Sequence, residues 1–215
     1  MITLGLDSSE ARGGVALIED GNLLGETLLE GPLRHSEELL PAVEELIGSC
    51  GVDRRGIARV CVNRGPGSFT GLRIGLSTAK GFGQALGIPV FGVDGTVSYR
   101  ARVTSRRVCV VIVNRRNLLY VRWFTGGKPR PDEVEILTTQ ELVARLSRER
   151  KELIVVGSGV EVLRSELSEL PQVVLAPVEL NQPSPAWIAR LGEGIEGDDE
   201  LYTLEPMYVE PAIRG

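Results

Sequence analysis

The stretch Asn63–Gly95, NRGPGSFTGLRIGLSTAKGFGQALGIPVFGVDG, limits the fold of this chain more than any other. It reads as loop, helix, turn and strand. The helix is expected over Thr70–Leu86, and within it Gly71, Gly75, Ala79 and Gly83 recur at every fourth position. That spacing puts all four on one face. A glycine inside a helix costs about 1 kcal/mol relative to alanine, so the stripe carries a burden of roughly 3 kcal/mol. Close approach of another backbone is what such a stripe permits in return. The preceding loop, Gly65-Pro66-Gly67-Ser68, is a tight turn leading into a helix N-terminus, a candidate position for an anion.

Around this stretch the chain alternates strands and helices. Ile2–Leu6 is a short apolar run ending in Asp7-Ser8-Ser9, and two more strand-like runs, Val15–Ile18 and Leu23–Leu29, flank a Glu19–Asn22 turn. From His35 to Ser49 the period becomes helical, with Leu39, Val43 and Leu46 on the apolar side and Ser36 as a candidate N-cap. Ala58–Val62 and Pro89–Val93 are strands on either side of the glycine-striped helix. From Arg107 the order restarts: strands at Val108–Asn114, Leu118–Phe124 and Glu133–Leu137, a helix at Thr139–Arg150, and a strand at Leu153–Val156. A helical run at Val160–Leu170 follows, then a last helix at Pro183–Glu193. Strands, helix, strand, helix, twice over, argues for a duplicated α/β architecture with its boundary near Ser98–Ser105. The expected division is residues 1–102 and 103–215, with the tail near 200–215 packing back on the first half.

Composition excludes several classes of function. The formal net charge is −5 and the pI about 5.2, whereas a domain that grips nucleic acid alone usually carries a basic stripe. The pairs Arg54-Arg55, Arg106-Arg107 and Arg115-Arg116 read as solvated surface. Three cysteines with no CxxC suggest a reducing compartment, and Cys61 and Cys109 sit in apolar runs as buried thiols. No leader-like N-terminus and no apolar run of membrane-spanning length is present, so a cytoplasmic location is expected.

Most chemical motifs fail on inspection. One histidine, His35, rules out a multi-histidine metal site, and a Ser-His-Asp triad would have to use this residue at the edge of a helix. The GPGSFTG loop is neither GxGxxG nor a P-loop. Ser77-Thr78-Ala79-Lys80 matches SxxK without its partner motifs. Two places remain as candidate nucleotide contacts. Asp7 and Ser8 at the end of the first strand could meet phosphates and Mg²⁺ or could form a strand-end turn, and the residues favour neither reading. Gly157 and Gly159 could approach a nucleotide, although a tight strand-to-helix connection is the simpler reading.

MITLGLDSSEARGGVALIEDG, RHSEELLPAVEELI and the whole Asn63–Gly95 stretch closely resemble the bacterial TsaB family, also called YeaZ. VNRRNLLYVRWF, VVGSGVE and PMYVEP fit more loosely. The resemblance implies an actin-like, sugar-kinase-like fold of two subdomains. It also implies a part in making threonylcarbamoyladenosine beside the tRNA anticodon. In that family the chain has no catalytic residues, metal or cofactor of its own. It pairs with the transferase TsaD, or with a second copy when alone. The ATPase TsaE joins the pair, with ATP, Mg and tRNA engaged through the complex and no membrane involved. The catalytic relative carries two metal-binding histidines in an NHIEGH-like run, where this chain has Asp94-Gly95-Thr96-Val97-Ser98-Tyr99. Gly95 and Tyr99 stand where the histidines would. The resemblance further implies that the two helices bearing Leu39, Val43, Leu46, Gly71, Gly75, Ala79 and Gly83 form the partner interface, so Gly75→Leu is expected to impair association more than folding. The competing reading is an independent actin-fold phosphotransferase or a glycoprotease-like peptidase.

Overall fold

Short apolar runs in the first thirty residues form a three-stranded antiparallel meander. β1 (Ile2–Asp7) pairs with β2 (Arg12–Glu19), placing Leu4 opposite Leu17 and Leu6 opposite Val15, and β2 pairs with β3 (Asn22–Glu30). α1 (His35–Ser49) then crosses over, and β4 (Ile57–Gly65) and β5 (Val90–Asp94) add in parallel on the other side of β1. The sheet order is β3-β2-β1-β4-β5. α2 (Phe69–Leu86) connects β4 to β5. It starts on Ser68, whose Oγ accepts from the Gly71 amide, and stops at Gly87, whose φ of 67° is the left-handed cap that glycine tolerates. The computed structural model describes residues 1–31, 35–115, 117–126, 128–129, 133–197 and 200–209; the side chains of His35 and Ser36, and with them the expected cap at Ser36, lie outside it.

The same order then repeats. β6 (Arg107–Arg115) pairs antiparallel with β7 (Leu118–Thr125), to which β8 (Lys128–Pro129) and β9 (Glu135–Thr138) add. α4 (Thr139–Leu146) follows α3 (Gly95–Ala101) in the chain and begins with a reciprocal cap between Thr138 and Glu141. β10 (Leu153–Val156) and β11 (Val173–Leu175) lie parallel to β6 and complete the order β11-β10-β6-β7-β8. The helix expected over Val160–Leu170 is two short ones, α5 (Gly159–Val162) and α6 (Arg164–Ser168), broken at Leu163, which is buried in the core with φ −112° and ψ 14°. α4 ends at Leu146 rather than Arg150, because the chain turns there toward β10.

The chain forms two compact units, one of Met1–Ser98 with Pro183–Met207 and one built on Tyr99–Gln182. Residues 183–207, which sequence order assigns to the second half, therefore pack in the first. The reason is α7 (Pro185–Glu193), which covers the sheet face opposite α1 and α2. A Cβ on Gly5 would overlap the Pro185 carbonyl oxygen, and one on Gly192 would overlap the Cys61 thiol. Arg59 Nη1 donates to the carbonyls of Gly192 (2.8 Å) and Ile195 (3.2 Å), so a guanidinium caps the end of α7 where the helix dipole is negative. The following tail seals the edge strand: the Glu200 amide donates to the Val90 carbonyl at 3.0 Å, and the Glu200 carboxylate accepts from the Gly92 amide at 2.7 Å. No helix among the described residues is long and apolar enough to cross a membrane.

The three cysteines are free. Burial pushes the Cys61 thiol up to about 12 and raises Cys109 as well. Since the fold favours the neutral thiol, the stability drawn from Cys61 is complete below its ordinary value and is lost as pH rises toward about 12. Iodoacetamide at pH 8 should label half-buried Cys50 alone in the native protein and all three thiols in urea, read by intact mass; rapid native labelling of Cys61 or Cys109 would contradict their burial.

Candidate functional site

The end of β1, the end of β4 and the start of α2 meet at a buried polar cluster of Asp7, Ser8, Ser9 and Asn63. Asp7 Oδ1 accepts from the Ser9 amide at 3.1 Å and from Ser9 Oγ at 2.7 Å, and Asp7 Oδ2 accepts from Asn63 Nδ2 at 3.0 Å. Asn63 Nδ2 also reaches Ser9 Oγ at 2.9 Å, and Asn63 Oδ1 accepts from the Gly65 amide at 2.8 Å. Ser8 Oγ donates to the Gly71 carbonyl at 2.8 Å, and the Ser68 amide donates to the Ser9 carbonyl at 2.7 Å. Of the two readings of this run, the geometry is the strand-end turn. It does not fit a nucleotide phosphate with its metal: both oxygens of Asp7 are engaged by donors of the chain itself, and the Gly65–Ser68 loop is bonded down onto Ser9. Asn63→Ala leaves Asp7 Oδ2 without this buried donor and should cost about 1–3 kcal/mol, measured by urea unfolding.

The glycine stripe serves this contact. A Cβ on Gly67 would overlap the Ser9 carbonyl oxygen, and one on Gly71 the Ser8 carbonyl oxygen; one on Gly75 would come within 2.5 Å of Ser8 Oγ. Gly83 fits under Val90, and Ala79 is fully buried. Leu39, Val43 and Leu46 are buried in the same core. All seven residues expected at a partner interface thus face the chain's own sheet, and the correction follows from helix geometry: one face of α2 cannot both lie on β1 and meet another protein. The outward side of α2 holds a second run at the same spacing, Arg73, Ser77, Gly81 and Ala85, all exposed. Nothing lies within 4 Å of a Cβ built on Gly81. That second stripe is visible in the sequence, offset by two from the first, and the glycines mask it.

β5 runs into α3 through Asp94, whose Oδ1 accepts from the Thr96 amide at 2.8 Å and Thr96 Oγ1 at 2.6 Å. A Cβ on Gly95 would sit 2.8 Å from both amide heteroatoms of Asn63. Any side chain there would push Asn63 out of the Asp7 cluster. Tyr99 is buried, with the Arg102 guanidinium 4.5 Å from its ring centroid. Among the described residues, no three His, Cys, Asp or Glu side chains are grouped to hold a metal ion.

Gly157 and Gly159 belong to the other unit. Gly157 has φ 116°, its amide donates to Asn181 Oδ1 at 3.0 Å, and a Cβ would overlap the Val111 carbonyl oxygen. A Cβ on Gly159 would overlap Val111 Cγ1, and Ser158 Oγ accepts from the Val113 amide at 3.0 Å. This is a tight strand-to-helix connection against β6.

The family model described as TsaD, tRNA N6-adenosine threonylcarbamoyltransferase, matches residues 32–127. Over its whole length the chain is similar to the tRNA threonylcarbamoyladenosine biosynthesis protein TsaB of Bacillus subtilis. The two are 23% identical over 219 residues, covering 99% of this chain and 95% of the relative. The relatives it matches over most of its length are proteins of the TsaB (YeaZ) family. The family's fold is also found here: YeaZ from Pseudomonas aeruginosa superposes with a TM-score of 0.74 at 24% identity, covering 97% of this chain and 99% of that one. The same architecture extends to sugar kinases, as in an inorganic polyphosphate/ATP-glucomannokinase from Arthrobacter, with a TM-score of 0.54 at 15% identity over 89% of this chain and 97% of that one. The two mixed sheets with flanking helices are therefore the duplicated actin-like, sugar-kinase-like fold.

Proposed function

We propose that this chain acts in threonylcarbamoyladenosine biosynthesis on tRNA as the non-catalytic partner of TsaD, which transfers the threonylcarbamoyl group, with the ATPase TsaE joining the pair. Alone, the chain forms a homodimer. Its relatives' names and the TsaD family match support the pathway. The observation that carries the non-catalytic role is Gly95, where a Cβ would sit 2.8 Å from both amide heteroatoms of Asn63, so that a metal-binding histidine there would displace Asn63 from Asp7. The two helices α1 and α2 remain the joining surface, through their outward sides: exposed Leu40 on α1, and Phe69 with the Ser77, Gly81, Ala85 stripe on α2. Small residues at that spacing let a partner helix approach closely. ATP and Mg are bound by the complex, and tRNA is presented to the transferase there.

Reconstitution tests this reading. TsaD, TsaE, tRNA, threonine, bicarbonate, ATP and the adenylate-forming enzyme are combined with and without this chain. The expected result is no modified nucleoside from this chain alone, and at least a tenfold drop when it is left out of the full mixture. Undiminished modification without it would refute the role. ATP turnover by the chain alone that disappears in Asp7→Ala would instead support a phosphotransferase.

A further inference from the structure

The charge of this acidic chain is unevenly placed. β6 and β10 run parallel with Val108 beside Ile154, and Arg107 pairs with Thr125, itself opposite Lys128. One end of the second sheet therefore gathers Arg106 and Arg107, Lys128, and the 147–152 connection that leaves α4. Arg106, Lys128, Arg148, Arg150 and Lys151 are all exposed there; among the described residues, exposed carboxylates on adjoining segments are Glu133, Glu152 and Glu169. Between them lies a cavity of about 70 Å³ lined by Arg107, Arg145, Trp123, Phe124, Thr125 and Glu149, with Val108 and Leu153. Arg107 is held by Glu149 and the Lys151 carbonyl, and Arg145 by Glu135 and by the Trp123 ring, 4.8 Å away. Each guanidinium has five N–H donors, so both keep donors to spare. Trp123 is 9% exposed, and its Nε1 is buried with no hydrogen-bond partner among the described residues. An unsatisfied buried donor in a native fold calls for an explanation.

We propose that this basic end of the second unit is a docking surface for an RNA phosphodiester backbone, with one phosphate seated between Arg107 and Arg145 and its neighbours on the surrounding cations. Three features select this occupant. The cations extend well beyond the cavity, which suits a linear polyanion rather than one free anion. The apolar residues there, Trp123 and Phe124, are buried, so among the described residues of these segments no exposed apolar side chain would enter a bilayer. The cations come from three separate stretches of chain, and only the fold assembles them. The surface belongs to the second unit, whereas α1 and α2 belong to the first, and its assignment to RNA rests on the tRNA role proposed above.

The test is binding of a tRNA transcript to the full chain by fluorescence anisotropy, at several salt concentrations. Arg106→Ala/Arg148→Ala/Arg150→Ala/Lys151→Ala should bind at least tenfold more weakly at low salt. Its log–log salt slope should be shallower by about 3, at roughly 0.7–0.9 for each phosphate that is no longer neutralised. Changing the same positions to lysine, with Lys151 kept, should restore both. Trp123→Phe keeps an aromatic ring and removes the donor, and should weaken binding about threefold in a chain that still melts cooperatively. Unchanged affinity and slope in the fourfold variant would overturn the proposal. So would binding of phosphatidylserine vesicles without binding of RNA, or displacement of RNA by millimolar inorganic phosphate alone. The fourfold variant should still co-purify with TsaD, so a failure here is distinguishable from a failure of the partner reading.

Discussion

Gly71→Ala should lower the melting temperature by roughly 4–8 °C, an unusual result for replacing a helical glycine with the best helix former. Two effects of opposite sign compete. Removing the glycine's backbone freedom favours the variant by about 1 kcal/mol. Overpacking opposes it, and forcing a carbon into an occupied site costs about 1–3 kcal/mol, more when the neighbour cannot yield. At Gly71 the neighbour is the Ser8 carbonyl, fixed in the loop after β1, with the Ser8 side chain bonded back to Gly71 itself. A flexible side chain could swing away; this backbone cannot without opening the turn that holds Asp7. Overpacking should therefore win, and at about 2–4 °C per kcal/mol for a chain of this size the shift is easily measured. Gly81→Ala is the matched control. Nothing lies within 4 Å of its Cβ, so only the propensity gain remains and the melting temperature should rise by about 2–4 °C. Equal behaviour of the two variants would show that the stripe on α2 does not owe its glycines to the Ser8 contact. The same reasoning makes Gly75→Leu a folding lesion, because its first carbon already meets Ser8 Oγ at 2.5 Å.

Much of this architecture is legible in the sequence because the signals are local. Short apolar runs mark β1, β2, β6 and β7, the change to helical period marks α1, and the repeated order of elements reveals the duplication. The stripe of Gly71, Gly75, Ala79 and Gly83 announces a close contact, yet the sequence cannot say with what, since spacing reports a face and not its neighbour. The neighbour is the loop after Asp7, distant along the chain. The same limit explains α7: nothing in Pro185–Glu193 states that Gly5 and Gly192 are paired to let it onto the first sheet. α3 escapes a sequence reading because seven residues, Gly95–Ala101, give too short a pattern, and its start depends on the Asp94 carboxylate. The basic end of the second unit is hidden for a related reason. Arg106-Arg107 alone is an ordinary solvated pair, and only the strand register brings Lys128 and the 147–152 segment beside it.

Gly81→Leu should separate assembly from folding. The substitution places a side chain on the outward face of α2, between Ser77 and Ala85, where the isolated chain has open space. Its own melting temperature should stay at or slightly above that of the unmodified chain. Binding to TsaD should weaken at least tenfold, which requires only about 1.4 kcal/mol of lost interface energy. One bulky intrusion between helices packed through small residues can supply that, because it holds the backbones apart along the whole contact and loses the burial of its neighbours as well. Modified nucleoside in the reconstituted reaction should fall in proportion at limiting concentrations of the chain and recover as the chain is raised, the mark of weakened association rather than of lost chemistry. Ala144→Leu on the exposed side of α4 is the control for added surface bulk and should leave both measurements unchanged. Wild-type affinity for TsaD in the Gly81→Leu chain would move the joining surface away from this side of α2. A fall in melting temperature equal to that of Gly71→Ala would show that the outward stripe, like the inward one, belongs to the core.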